Sequence, residues 1–147
     1  MNNAIIIKNS ALAAIAAAGA FIANQLGGWD AFLKVLVGFM AADYVTGLAL
    51  AGIWKRSPKS ETGALESKAS FKGLCKKSAI IMIVWIAVLL DDAIGAEYIR
   101  AAVVLCFVGN EGLSLCENLA LMGVPFPAFF KKALEALRDK GDGGAKD

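Results

Sequence analysis

Four apolar runs, set apart by short polar breaks, constrain this chain more than any other feature. They lie at about 10–26, 31–53, 78–94 and 98–124. A helix needs roughly 20 apolar residues to cross the hydrocarbon of a bilayer. The second and fourth runs reach that length, and the first and third approach it. The chain is 58% hydrophobic with a mean hydropathy of +0.61, more than a soluble domain needs. The expected fold is all-α: one integral membrane domain over 1–147, with four transmembrane helices. The first run is Ala-rich, and Ala inserts only weakly. A three-span arrangement with the N-terminus outside therefore stays open.

The breaks have recognisable chemistry. Gly27–Asp30 reads GGWD, a turn with a tryptophan suited to the membrane interface. Asp91, Asp92 and Gly95 mark a second tight turn, and Pro125 and Pro127 stop the fourth run. The stretch 54–77 is a loop with Pro58, Gly63 and seven of the 15 basic residues, against Glu61 and Glu66. Basic residues beside spans stay on the cytoplasmic side, so the loop and both termini are expected there. Residues 127–139 alternate apolar and charged groups at helical spacing. They read as an amphipathic helix lying at the membrane surface, followed by a disordered tail over 141–147.

Polar residues inside the runs are the candidate functional groups. At about 100° per residue, Asn110, Glu111, Ser114, Glu117 and Asn118 fall within an arc of about 120°. Asp43 and Thr46 lie in the second run, and Asp43 comes to nearly the same depth as Glu111. A carboxylate there costs on the order of 3 kcal/mol unless it finds a partner, water or a proton. The expectation is a polar stripe facing a second copy or a pore, or acting as glue between helices. Gly38, Ala42, Gly47 and Ala51 offer small residues for close helix packing. At the outer turn, Arg100 is expected to pair with Asp91, Asp92 or Glu97. Lys34 should reach outward to the interface.

Several classes fall away. The chain has no histidine, the commonest general base and metal ligand. Its three cysteines, Cys75, Cys106 and Cys116, have no metal or disulfide spacing. No catalytic residue, cofactor or metal is expected, nor a nucleic-acid partner.

Three segments then line up: DYVTG (Asp43–Gly47), SKASFKGLCKK (Ser67–Lys77) and GNEGLSLCENLALMGVPFPAFFKKALEALRDK (Gly109–Lys140). In order and content they resemble the phage holin family, which includes the toxin-secretion and phage-lysis holins of Gram-positive bacteria and their phages. The resemblance covers roughly 31–140. It implies a non-enzymatic, cofactor-free protein of the bacterial cytoplasmic membrane. Such a protein forms homo-oligomers in the bilayer and opens a lesion that releases a cell-wall (muralytic) hydrolase or a toxin. An ion-coupled transporter or proton channel subunit using Asp43 and Glu111 is the alternative. A membrane scaffold that recruits a partner through its basic loop is a third reading.

Overall fold

The computed structural model describes residues 2–143. Five helices follow one another: α1 (Asn2–Gln25), α2 (Ala31–Ala49), α3 (Ser67–Ile94), α4 (Ile99–Leu121) and α5 (Ala128–Gly143). A π-helical turn, Leu50–Trp54, prolongs α2 and ends on Lys55 in the left-handed conformation. Among the described residues, four helices are long and apolar enough to cross a membrane. With no strand among the described residues, the fold is all-α, and its four long apolar helices fit the hydropathy pattern.

The bundle proper is α2, α3 and α4. Its buried positions repeat at alternating steps of three and four. On α2 these are Leu33, Leu36, Met40 and Asp43; on α3, Lys77, Ile80, Val84, Ala87 and Asp91. On α4, Val104, Val108, Glu111 and Asn118 keep the same register. A 3–4 repeat drifts slowly around a helix, so neighbours pack side by side at a shallow angle. Leu33, Leu36, Ile80, Val84, Val104 and Val108 make the apolar centre. Each stripe carries at least one charged or amide group where an apolar one would be expected.

The exterior formed by α1 and the outer side of α3 is apolar. Met82, Ile83, Trp85, Ile86, Leu89 and Leu90 of α3 point outward, as does nearly all of α1. None of the most apolar stretch of α1 is buried. In water this surface would drive aggregation; in a bilayer it is the expected coat.

The ends are capped by specific residues. Asp30 accepts a hydrogen bond from the Leu33 N–H at 2.8 Å and starts α2. Gly95, at φ +68°, ends α3 in a conformation that costs glycine little. The buried Asp91 carboxylate reaches across that turn and accepts from the N–H groups of Ile99 (3.0 Å) and Arg100 (2.9 Å). One side chain thus satisfies two orphan donors at the start of α4.

Several boundaries differ from expectation: α1 begins at Asn2, well before 10, and α4 ends at Leu121, short of 124. α3 begins at Ser67, so the basic stretch 54–77 is partly helix, and Lys77 lies well inside it. α5 runs on to Gly143, past the 139 boundary and into the stretch read as a tail. Residues 144–147 lie outside the described residues.

Candidate functional site

The site is built where the three stripes meet. Lys77 of α3 donates to Asp43 Oδ2 of α2 at 2.8 Å and to Glu111 Oε2 of α4. Lys59, from the 55–66 loop, donates to the other Asp43 oxygen at 3.4 Å and to Ser114 Oγ at 3.2 Å. Asn118 adds its amide to Asp43 Oδ1 (3.0 Å), to the Asp43 carbonyl (3.2 Å) and to Thr46 Oγ1 (3.1 Å). Thr46 in turn donates to the Ala42 carbonyl at 2.8 Å. Glu111 is 1% exposed and Asp43 4%.

Two carboxylates and two ammoniums make the cluster neutral overall. That balance decides whether such groups can sit within a bilayer-spanning bundle. An unmatched charge there is costly, and a matched, hydrogen-bonded set is tolerated. Asp43 is 12 residues into α2, or about 18 Å from its start, near mid-depth of a 30 Å core. Three helices and one loop each supply a charge or amide, so the cluster also fixes their register.

Lys59 enters because the 55–66 loop folds back on itself. Ser57 N–H donates to the Gly63 carbonyl at 3.0 Å. Gly63 holds φ +73°, and a Cβ there would meet the Lys55 carbonyl oxygen at 2.5 Å. A cavity of about 90 Å³ lies between this loop, α2 and α3, next to Asp43 and Lys77. Tyr44, Leu48, Ser60 and Lys76 line it. Among the described residues, Ser60 Oγ is the buried side-chain atom with no hydrogen-bond partner.

A second polar contact closes the far end of the bundle. The Arg100 guanidinium donates to Asp30 Oδ2 (2.7 Å) and Oδ1 (3.2 Å), and to the Leu26 carbonyl (2.6 Å). The hydrogen bond from Arg100 holds the Asp30 carboxyl below its usual pKa, against a smaller opposing effect of burial. This corrects the expected pairing within one hairpin. Asp91 is occupied by backbone N–H groups, Asp92 and Glu97 are exposed, and Arg100 ties two hairpins together.

The expected stripe on α4 divides. Glu111 and Asn118 turn into the protomer and Ser114 meets Lys59, while Asn110 and Glu117 are exposed. An arc of about 120° is wider than one helix contact, so its edge falls outside. The small-residue positions divide as well. Gly47 faces Asn118 and Ala51 is buried, but Gly38 faces open space. Close approach occurs instead at Gly109, Gly112 and Gly141, where an added Cβ would fall within 3 Å of the facing helix. These glycines join α4 to α5, so the C-terminal helix lies against α4 here, not apart on a surface.

Sequence reading missed Lys77 and Lys59. Lys77 carried a signal: it continues the spacing of Ile80, Val84 and Ala87 by one more step. Lys59 carried none, because its placement depends on how the loop folds. Among the described residues, no group of three or more Cys, Asp or Glu is placed to hold a metal ion. Both carboxylates of the cluster face ammonium groups. Cys75 is exposed, Cys116 is buried, and the Cys106 sulfur accepts a hydrogen bond from the Asn110 amide at 3.8 Å.

A helical bundle with an apolar coat and a neutral charge cluster at mid-depth defines an integral membrane protein. The chain belongs to the bacteriophage holin family, which it matches over residues 20–139. An uncharacterised protein of Clostridium perfringens strain 13 is 34% identical over 79% of this chain and 82% of its own length. One from Listeria monocytogenes is 37% identical over 79% and 78%. A protein of Bacillus phage phi105 that bears the name probable holin is 29% identical over 76% and 77%. No solved structure matches the chain.

Proposed function

We propose that this protein is a working holin. Copies gather in the bacterial cytoplasmic membrane and open a lesion through which a cell-wall hydrolase or a toxin leaves. Membership of the holin family over residues 20–139 carries the reading. The family is not one of enzymes, and the chain acts here by assembling. In this reading the 55–66 loop and both termini are cytoplasmic, because the basic residues gather on that side. The Arg100–Asp30 end then faces outward.

The neutral cluster supports the reading by what it permits. With Asp43 and Glu111 matched by Lys77 and Lys59 inside one protomer, the chain can insert and wait as a sealed unit. Asn110 and Glu117, exposed on α4, remain to meet water or another copy.

The test is inducible expression in a bacterium, with and without a co-expressed muralytic enzyme. Growth arrest alone, and lysis with protein release when the enzyme is present, is the expected result. Asp43 and Glu111 sharing Lys77 also suits a proton-conducting subunit. That reading requires proton flux with no release of large solutes, which the same cells report through a fluorescent dextran and a pH dye.

A further inference from the structure

The C-terminal helix combines a dry face with a charged one at a depth where lipid allows only the first. Its register on α4 is antiparallel. A Cβ at Gly112 would meet Leu134, one at Gly109 would meet Arg138, and one at Gly141 would meet Cys106 and the Ala102 carbonyl. α5 therefore runs back along α4 from its end almost to its start. Its 16 residues span about 24 Å, most of the thickness of the hydrocarbon.

The docked side is mostly apolar, with Leu134 buried and the Cβ and backbone of Arg138 against Gly109. The opposite side exposes Lys132, Asp139 and Lys140 with Phe129 among them, and Lys131 is exposed at the edge of the docked side. A row of such groups cannot lie against acyl chains. Asn110 and Glu117 are exposed on α4 and extend the same polar character. α1 and the outer face of α3 show the reverse, with large apolar side chains exposed throughout. The protomer thus has one flank made for lipid and one made for water.

We propose that α5, docked along α4, is the water-facing wall of the lesion. The inference rests on the holin reading and says which surface of each copy lines the opening. In an intact bilayer the docked position would press charged side chains into hydrocarbon, so α5 leaves α4 and lies at the membrane surface. When copies assemble and water enters between them, α5 folds up against the glycines of α4 and its charges face the lumen. The linker 122–127 allows the reversal. Gly123 holds φ +86°, and Pro125 and Pro127 keep the segment from continuing either helix.

A disulfide between α4 and α5 tests this directly. In a chain with Cys75, Cys106 and Cys116 replaced by Ala, Gly109→Cys and Arg138→Cys are introduced together. A Cβ at Gly109 lies 2.6 Å from both the Arg138 Cβ and its backbone nitrogen, so α5 must move outward by about 1 Å, which also brings the pair into disulfide range. The full-length protein is placed in phosphatidylglycerol–phosphatidylethanolamine vesicles loaded with fluorescent dextran. The expected result is that the bond forms and that oxidised protein releases dextran at least as fast as reduced protein. Gly112→Leu, whose side chain would strike Leu134 and Phe39, should insert normally. It should slow release by about tenfold or more, through overpacking of the docked state. Failure of the disulfide to form overturns the proposal. So does an oxidised protein that seals the vesicles until dithiothreitol is added, because docking would then be the closed state. If the unmodified protein releases no dextran, the holin reading itself fails.

Discussion

Lys77 and Glu111 stand 34 residues apart in sequence, yet the ammonium of one closes on the carboxylate of the other inside the bundle. The same ammonium holds Asp43, so one lysine bridges carboxylates from two other helices, and Lys59 supplies the second positive charge.

Lys77→Met should therefore be the most damaging single change in the cluster. It leaves the buried Glu111 carboxylate without its cation and Asp43 with Lys59 alone, and breaking a buried pair in this way costs about 3–5 kcal/mol. Glu111→Gln should be milder, since Asp43 still meets Lys77. Combining Lys77→Met with Asp43→Asn and Glu111→Gln should recover most of the loss. Thermal unfolding in detergent micelles measures all three. Equal stability of Lys77→Met and the parent protein would refute the cluster's structural role.

The Asp30–Arg100 contact should give the outer end a pH dependence. The folded-state pKa of Asp30 is lowered, chiefly by its hydrogen bond with Arg100. The contribution is thus fully present above the ordinary carboxylate value of about 3.9 and is lost as pH falls through the lowered one. Acid should loosen the contact between the α1–α2 turn and the start of α4, and Asp30→Asn should flatten that response. Unfolding of both proteins between neutral and strongly acidic pH shows whether the curves converge at the acid end. Parallel curves would rule the contact out as their source.

Gly63→Ala should open the 55–66 loop. Alanine at φ +73° is strained, and its Cβ would strike the Lys55 carbonyl. A loss of more than about 1 kcal/mol is expected for such a replacement. Because the loop carries Lys59 to Asp43, trypsin should cut it faster in the variant. An unchanged cleavage rate would mean that the glycine turn does not hold the loop.

Topology can be read by thiol labelling in intact cells, on a background without the three native cysteines. A membrane-impermeant reagent should reach Trp29→Cys and Glu97→Cys from outside. Glu61→Cys and Val124→Cys should be protected until the membrane is breached. Labelling of Glu61→Cys in sealed cells would reverse the orientation.

Hydropathy made the four spans legible, because a bilayer asks only for length and apolarity. The matching depth of Asp43 and Glu111 could likewise be counted along two helices running the same way. Their partner could not be found by the same means. Lys77 sits in a run of basic residues at a boundary, where charge alone says topology. Only the 3–4 spacing continuing from Ala87 through Val84 and Ile80 marks it as inward-facing. Arg100 was misassigned for a related reason: sequence proximity favoured Asp91, whose oxygens the backbone of α4 had already claimed. The division of Asn110 and Glu117 from Glu111 and Asn118 depends on where neighbouring helices stand, which a single helical wheel does not contain.

The isolation of α1 has a consequence for how such a chain can change. Its most apolar stretch has no buried residue, and only the turn after it is gripped, where Arg100 bonds the Leu26 carbonyl. The family match begins at residue 20, near the end of this helix. A helix that fits no socket answers to length and oiliness alone, not to the identity of any side chain. It behaves as an interchangeable part: another apolar helix joined ahead of Leu26 asks for no compensating change elsewhere, whereas altering Lys77 on the α3 stripe asks for two.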